Sequence, residues 1–204
     1  MTSAIQNVEA ASIIMRFEQD HIGQAETLLR ERYKIPKSDS LMYAFMIFDQ
    51  LSSYKFQLAN IGDIALWNTF HKFAAQEAKV LKQQMAKNFG LTEKGFSEMC
   101  HALRHGKEEV FEQVFLSHFS DCIAYLKSNY TISHEDAYDA SMETMIMFRK
   151  KLINGKIGYG NVRFLFTRMA SQVFIKSQKK LKKIDGLTYD SDSTVDEEAL
   201  QILE

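Results

Sequence analysis

The chain has 204 residues, 46% of them hydrophobic and 25% charged, the balance of one or two folded domains and not of a disordered chain. Charged or polar side chains interrupt every apolar window before it reaches membrane-span length, which excludes a transmembrane segment, and Cys100 and Cys122 are too few for a disulfide framework. The N-terminal residues lack the basic start and apolar stretch of a signal peptide, so the expected setting is the reducing cytoplasm.

One proline, nine glycines and long periodic segments predict an all-α fold, and no run alternates as a strand does. A first helix is expected over residues 8–33, ended at Ile35-Pro36 because proline disfavours helix in the residue before it. Ser38 and Asp39 are candidate caps for a second helix, 40–56, which carries Met42, Phe45, Met46 and Phe48. A third, 61–88, offers Trp67, Phe70 and Phe73 to a core and stops at Phe89-Gly90. Thr92 or Ser97 opens a fourth that ends near His105-Gly106.

The fifth helix, 108–130, sets Val110, Phe111, Val114, Phe115, Phe119 and Ile123 on one stripe. Ser133 followed by Asp136 is a capping pattern for a sixth, which runs to about 152 and is broken by Asn154-Gly155. A connector with glycines at 155, 158 and 160 leads to a seventh helix, 162–183. Tyr33, Ile35 and Asp39 recur at the same spacing as Tyr130, Ile132 and Asp136, each set lying between two helices. A degenerate duplication and a chance likeness both fit that pattern.

The net charge of −1 hides a sharp change of sign. Residues 149–184 hold eleven Lys or Arg and no acid, whereas 185–204 hold seven acids and no base. Upstream of the basic block sit Glu135, Asp136, Asp139 and Glu143; Glu135, Asp139 and Glu143 follow one another at helical i, i+4 spacing. Like charges in such a row repel unless a basic partner surface meets them, although a solvated acidic turn is the plainer account. The basic block is an electrostatic footprint for phosphate, interleaved with Tyr159, Phe164, Phe166 and Phe174 as candidate stacking faces or core residues.

Three motifs in order carry a family resemblance. The stretch Phe96-Ser97-Glu98-Met99-Cys100-His101-Ala102-Leu103-Arg104-His105-Gly106, leading into the Phe-rich fifth helix, resembles the opening of region 2 of extracytoplasmic-function sigma factors of the sigma-70 family. Ala137-Tyr138-Asp139-Ala140-Ser141-Met142-Glu143 resembles the family segment that docks on the clamp helices of the RNA polymerase β′ (beta-prime) subunit. Leu165-Phe166-Thr167-Arg168-Met169-Ala170-Ser171-Gln172 resembles the segment that contacts and opens the promoter −10 element. Met142 stands where the family usually has Gln, Arg149 and Leu165 where it has Trp, and Gln172 where it has Asn.

The resemblance implies a sigma region 2-like domain over 91–184, preceded by a helical module over 1–90 and followed by an acidic linker or tail over 185–204. It implies a non-enzymatic transcription-initiation protein without cofactor or metal. Glu135, Asp136, Asp139 and Glu143 would bind polymerase core, Arg163, Arg168, Gln172, Lys176, Lys179 and Lys180 would bind promoter DNA, and an anti-sigma protein is a further expected partner. Two rivals stay open: a sigma-like regulator that has lost promoter melting, and a helical ligand-binding bundle or enzyme. His101-x3-His105 and His118-x3-Cys122 have metal-ligand spacing but lack a Cys-rich signature, and Cys100 beside His101 lacks a third orienting group.

Overall fold

The first helix begins ahead of the expected position, and α1 covers Thr2–Glu31. The computed structural model describes residues 2–56 and 61–186, with side chains over 8–56 and 61–180. After α1 come α2 (Lys37–Ser53), α3 (Asp63–Lys87), α4 (Glu93–Arg104), α5 (Glu109–Asn129), α6 (His134–Ile153) and α7 (Val162–Gly186). Among the described residues there is no strand. The protein is all-α. Of the acidic stretch from residue 185, all but the first two positions lie outside the described residues.

Local chemistry explains the helix ends. Thr92 caps α4, its Oγ1 accepting from the Gly95 amide at 3.1 Å. At the start of α6 the Ser133 Oγ accepts from the Asp136 amide at 3.0 Å and donates to Asp136 Oδ2 at 2.7 Å. That is a reciprocal cap. Gly106 and Gly155, at φ 75° and 68°, end α4 and α6 in the left-handed region. Each passes its amide to the carbonyl three residues back, and the next residue reaches the one five back (Gly155 to Leu152, Lys156 to Lys151).

At α2 the structure corrects the expected cap. Pro36 is the N-cap, and Ser38 and Asp39 lie inside the first turn. Proline has no amide of its own to satisfy at this junction, and its φ of −55° suits the entry to a helix that starts three residues earlier than expected. Asp39 is buried and bonds further afield. Its carboxylate accepts from Ser38 Oγ and, at 3.2 Å, from Thr92 Oγ1. The start of α2 is thus tied to the start of α4, and Lys94 Nζ adds a bond to the Ser38 carbonyl at 3.1 Å.

The chain divides into two units. One holds the residues through Ser117 together with Lys151–Phe164; the other holds His118–Lys150 and the chain from Leu165 onward. In the first unit, α1, α2 and α3 close around one core containing Ile14, Leu29, Ile47, Leu51 and Leu66. Aromatic edges knit it: Phe17 meets Phe48 and Trp67, and Phe48 meets Phe70, with ring centroids 5.2–6.1 Å apart. Each such pair adds about 0.5–1.5 kcal/mol beyond simple burial. Phe70 is core as expected, whereas Trp67 and Phe73 are half-buried and pack on the core from its margin.

The same unit holds the connector before α7 in place. Asn88, 1% exposed, donates through Nδ2 to the carbonyls of Gln84 and Gly160, both at 2.8 Å, and accepts through Oδ1 from the amides of Gly160 and Val162, both at 3.2 Å. Tyr159 donates to the Leu91 carbonyl at 3.2 Å and packs its ring near Phe96.

In the second unit, three ring contacts join the helices in turn. Phe119 of α5 meets Tyr138 of α6 edge-on at 5.3 Å, and Phe148 of α6 meets Phe166 of α7 edge-on at 5.2 Å. Tyr130, just after α5, meets Phe174 of α7 at 5.0 Å. The buried hydroxyls of Ser141 and Thr144 bond back to Ala137 and Ala140, so the inner face of α6 carries polar atoms without leaving them unpartnered.

Candidate functional site

On α6 the four acidic residues are all exposed. Glu135, Asp139 and Glu143 form one i, i+4 row, while Asp136 turns about 100° away and is engaged in the cap. Glu135 and Asp136 also lie in the first turn, where the helix dipole favours negative charge, so part of the cluster has a purely local role. The inward side of the helix buries Ala137, Ala140 and Phe148 beside the bonded hydroxyls of Ser141 and Thr144.

Sequence reasoning overlooked the apolar members of this outward face. Ile146 is 62% exposed, and Tyr138 and Met147 are also exposed. Ile146 stands seven residues after Asp139 and therefore on the same side of the helix, with the half-buried Met142 between them. A seven-residue step from Asp139 reaches Ile146, but hydrophobicity alone does not tell an outer position from an inner one. The face is therefore mixed: acids at the N-terminal end, exposed aliphatic side chains further along.

On α7, Arg168, Gln172, Lys176 and Lys179 follow at intervals of four, four and three and share one stripe; the three cations are exposed and Gln172 is half-buried. Lys180, also exposed, borders the stripe. Arg163 does not join it: five residues before Arg168, it projects about 140° away around the helix. Of the other cations in the basic block, Arg149, Lys150 and Lys151 belong to α6 and Lys156 to the connector. The side chains of Lys182 and Lys183 lie outside the described residues.

The candidate stacking aromatics divide. Phe166 and Phe174 are buried, each packed on another ring, and present no face to solvent. Phe164 is 59% exposed, and Tyr159 is half-buried with its hydroxyl bonded. Ile175, also exposed, lies beside the cationic stripe. On α5, Val110 is exposed and Val114 and Phe119 only half-buried, whereas Cys122 and Leu126 lie inside. Of the expected stripe, Phe111, Phe115 and Ile123 are buried, and Cys122 and Leu126 join them inside.

Both thiols are buried and their pKa values are raised by that burial. For Cys100 the Arg104 charge works the other way, and for Cys122 a hydrogen bond with Ser141 does. The His101 and His105 rings lie 4.3 Å apart, and one ring nitrogen of His105 sits 2.8 Å from the His101 carbonyl oxygen. Among the described residues, no three His, Cys, Asp or Glu side chains gather as a metal-binding group, and no helix is long and apolar enough to cross a membrane.

Fold and faces together define an all-α protein that presents acidic and cationic surfaces on successive helices. No protein-family model, curated protein or solved structure matches the chain significantly.

Proposed function

We propose that the chain acts in transcription initiation in the cytoplasm as a sigma-like factor. The α6 face with Glu135, Asp139 and Glu143 docks on RNA polymerase core, at the clamp helices of its β′ subunit. The α7 stripe of Arg168, Gln172, Lys176 and Lys179, with Lys180 beside it, holds promoter DNA at the −10 element. The observation that carries this reading is the pair of oppositely charged, outward faces on consecutive helices of one unit, at the positions of the motifs that resemble sigma region 2. A basic partner relieves the repulsion within the acidic row, and phosphate relieves that within the cationic stripe.

A specific observation favours a second reading, a sigma-like regulator that binds polymerase or an anti-sigma protein without melting DNA. Phe166 and Phe174 are turned into the unit, so α7 offers few aromatic faces for capturing unpaired bases. Pull-down of polymerase core by the full chain tests the docking common to both. Asp139→Lys with Glu143→Lys should weaken it on the order of a hundredfold, the equivalent of about 3 kcal/mol of like-charge repulsion, with helical content unchanged. Undiminished binding by the double variant overturns the docking assignment.

A further inference from the structure

The outer face of α2 is apolar, and neither motif of the proposed function uses it. Leu41, Met42, Phe45 and Met46 are 47%, 52%, 50% and 39% exposed, while Tyr43, Ala44, Ile47, Phe48 and Leu51 fill the core from the inner side of the same helix. A helix apolar on both sides is expected where both sides are covered. We propose that a second copy of this chain covers the outer side, the two α2 helices pairing antiparallel about a two-fold axis.

The order of residues along the face selects that partner. Lys37, Leu41, Phe45 and Asp49 are spaced four apart and form a single ridge; both charged ends are exposed. The ridge reads cation, apolar, apolar, anion. Lys37 and Asp49 are equidistant from position 43, and so are Leu41 and Phe45. An antiparallel copy centred on that level sets Leu41 against the partner's Phe45 and Phe45 against the partner's Leu41. It also places Lys37 opposite the partner's Asp49 at one end and Asp49 opposite the partner's Lys37 at the other. Such self-complementarity is what a two-fold interface requires, since the same patch must serve both subunits. A parallel pairing would instead oppose Lys37 to Lys37 and Asp49 to Asp49.

Met42 and Met46 flank the ridge with flexible, polarisable side chains that adapt to a facing helix. The net charge of −1 per chain adds little repulsion between copies. Four half-exposed apolar side chains per copy make a patch smaller than the roughly 800 Å² per partner of a standard stable interface. The dimer is therefore concentration-dependent.

Sedimentation velocity of the full chain over a concentration series tests the pairing. The wild type should move from monomer to dimer, and Phe45→Glu, at an exposed position, should stay monomeric with unchanged helical circular dichroism. Lys37→Asp and Asp49→Lys should each weaken dimerisation about tenfold or more, because each opposes like charges at both ends. The double variant Lys37→Asp with Asp49→Lys should dimerise like the wild type. A wild type that remains monomeric throughout, a Phe45→Glu dimer, single reversals without effect, or a double variant that fails to recover each overturns the proposal.

Discussion

Asn88 and Gly160 bond each other in both directions, side-chain amide to backbone carbonyl and backbone amide to side-chain oxygen, at 2.8 and 3.2 Å. The residue that ends α3 thus fixes the turn from which α7 starts, 72 residues later in the chain. Asn88 also accepts from the Val162 amide, one of the helix-start amides that lack a partner within the helix.

Asn88→Ala should therefore destabilise the protein by about 3 kcal/mol, because two backbone amides and two backbone carbonyls lose their side-chain partner together. Asn88→Asp keeps the acceptor but turns a carboxylate towards the Gly160 and Gln84 carbonyls, and should be no better. Denaturant unfolding with unchanged slope measures both. Losses below about 0.5 kcal/mol would show that solvent replaces these bonds.

At α6 the reciprocal cap between Ser133 and Asp136 predicts a smaller effect. Ser133→Ala should cost about 1 kcal/mol, and Ser133→Gly a few tenths, measured the same way. Asp136→Asn keeps an acceptor for the Ser133 hydroxyl and should fall between wild type and Ser133→Ala.

The seven helices were legible because their punctuation is local. Pro36, Gly90, Gly106 and Gly155 act through the backbone of their own neighbourhood, and the Ser133–Asp136 cap spans three residues. Asn88 was not legible as a tie, since its partners come from a distant segment and any Asn after a helix reads equally well as a stop. Asp39 misleads for the same reason: an acid near a helix start suggests a cap until Thr92 arrives from 53 residues away. The acidic and basic blocks could be read as charge, but which members share a face needed the helix register. Arg163 turns away from the stripe and Asp136 into a cap. The outward apolar residues of α2 and α6 were hidden because hydrophobicity alone does not separate an inner face from an outer one.

His71 of α3, packed against Tyr33 in the turn after α1, gives the first unit a pH dependence. Tyr33 Oη lies 2.9 Å from His71 Nδ1 and donates to the His71 carbonyl at 3.1 Å. Burial, and secondarily the Arg32 charge, hold the imidazole below its ordinary 6.5. A folded-state pKa below the unfolded one means that the unfolded chain binds more protons near pH 6. This contribution to stability is therefore complete above about 6.5 and is lost as the pH falls through that range. His71→Gln should flatten the fall in stability between pH 7.5 and pH 5.5 relative to wild type. An identical slope in the variant would remove His71 as its source.

The α7 stripe makes a geometric prediction that charge counting does not. If DNA lies along Arg168, Lys176, Lys179 and Lys180, the affinity of the full chain for single-stranded oligonucleotide should fall with salt at a logarithmic slope of about −3, the value for four phosphate contacts on a single strand. Neutralising any one of the four, as in Arg168→Gln or Lys176→Gln, should reduce that slope by about 0.7. Arg163→Gln removes the same charge from the same helix but about 140° away, and should leave the slope nearly unchanged. Ending the chain after residue 184 removes seven acids, and if DNA binds the stripe this should tighten binding most at low salt. Equal effects at Arg163 and Arg168 would mean that the basic block acts as a diffuse field and that no single face holds the strand. An absence of salt-dependent binding in every variant would leave the regulator reading, in which α7 meets protein and not DNA.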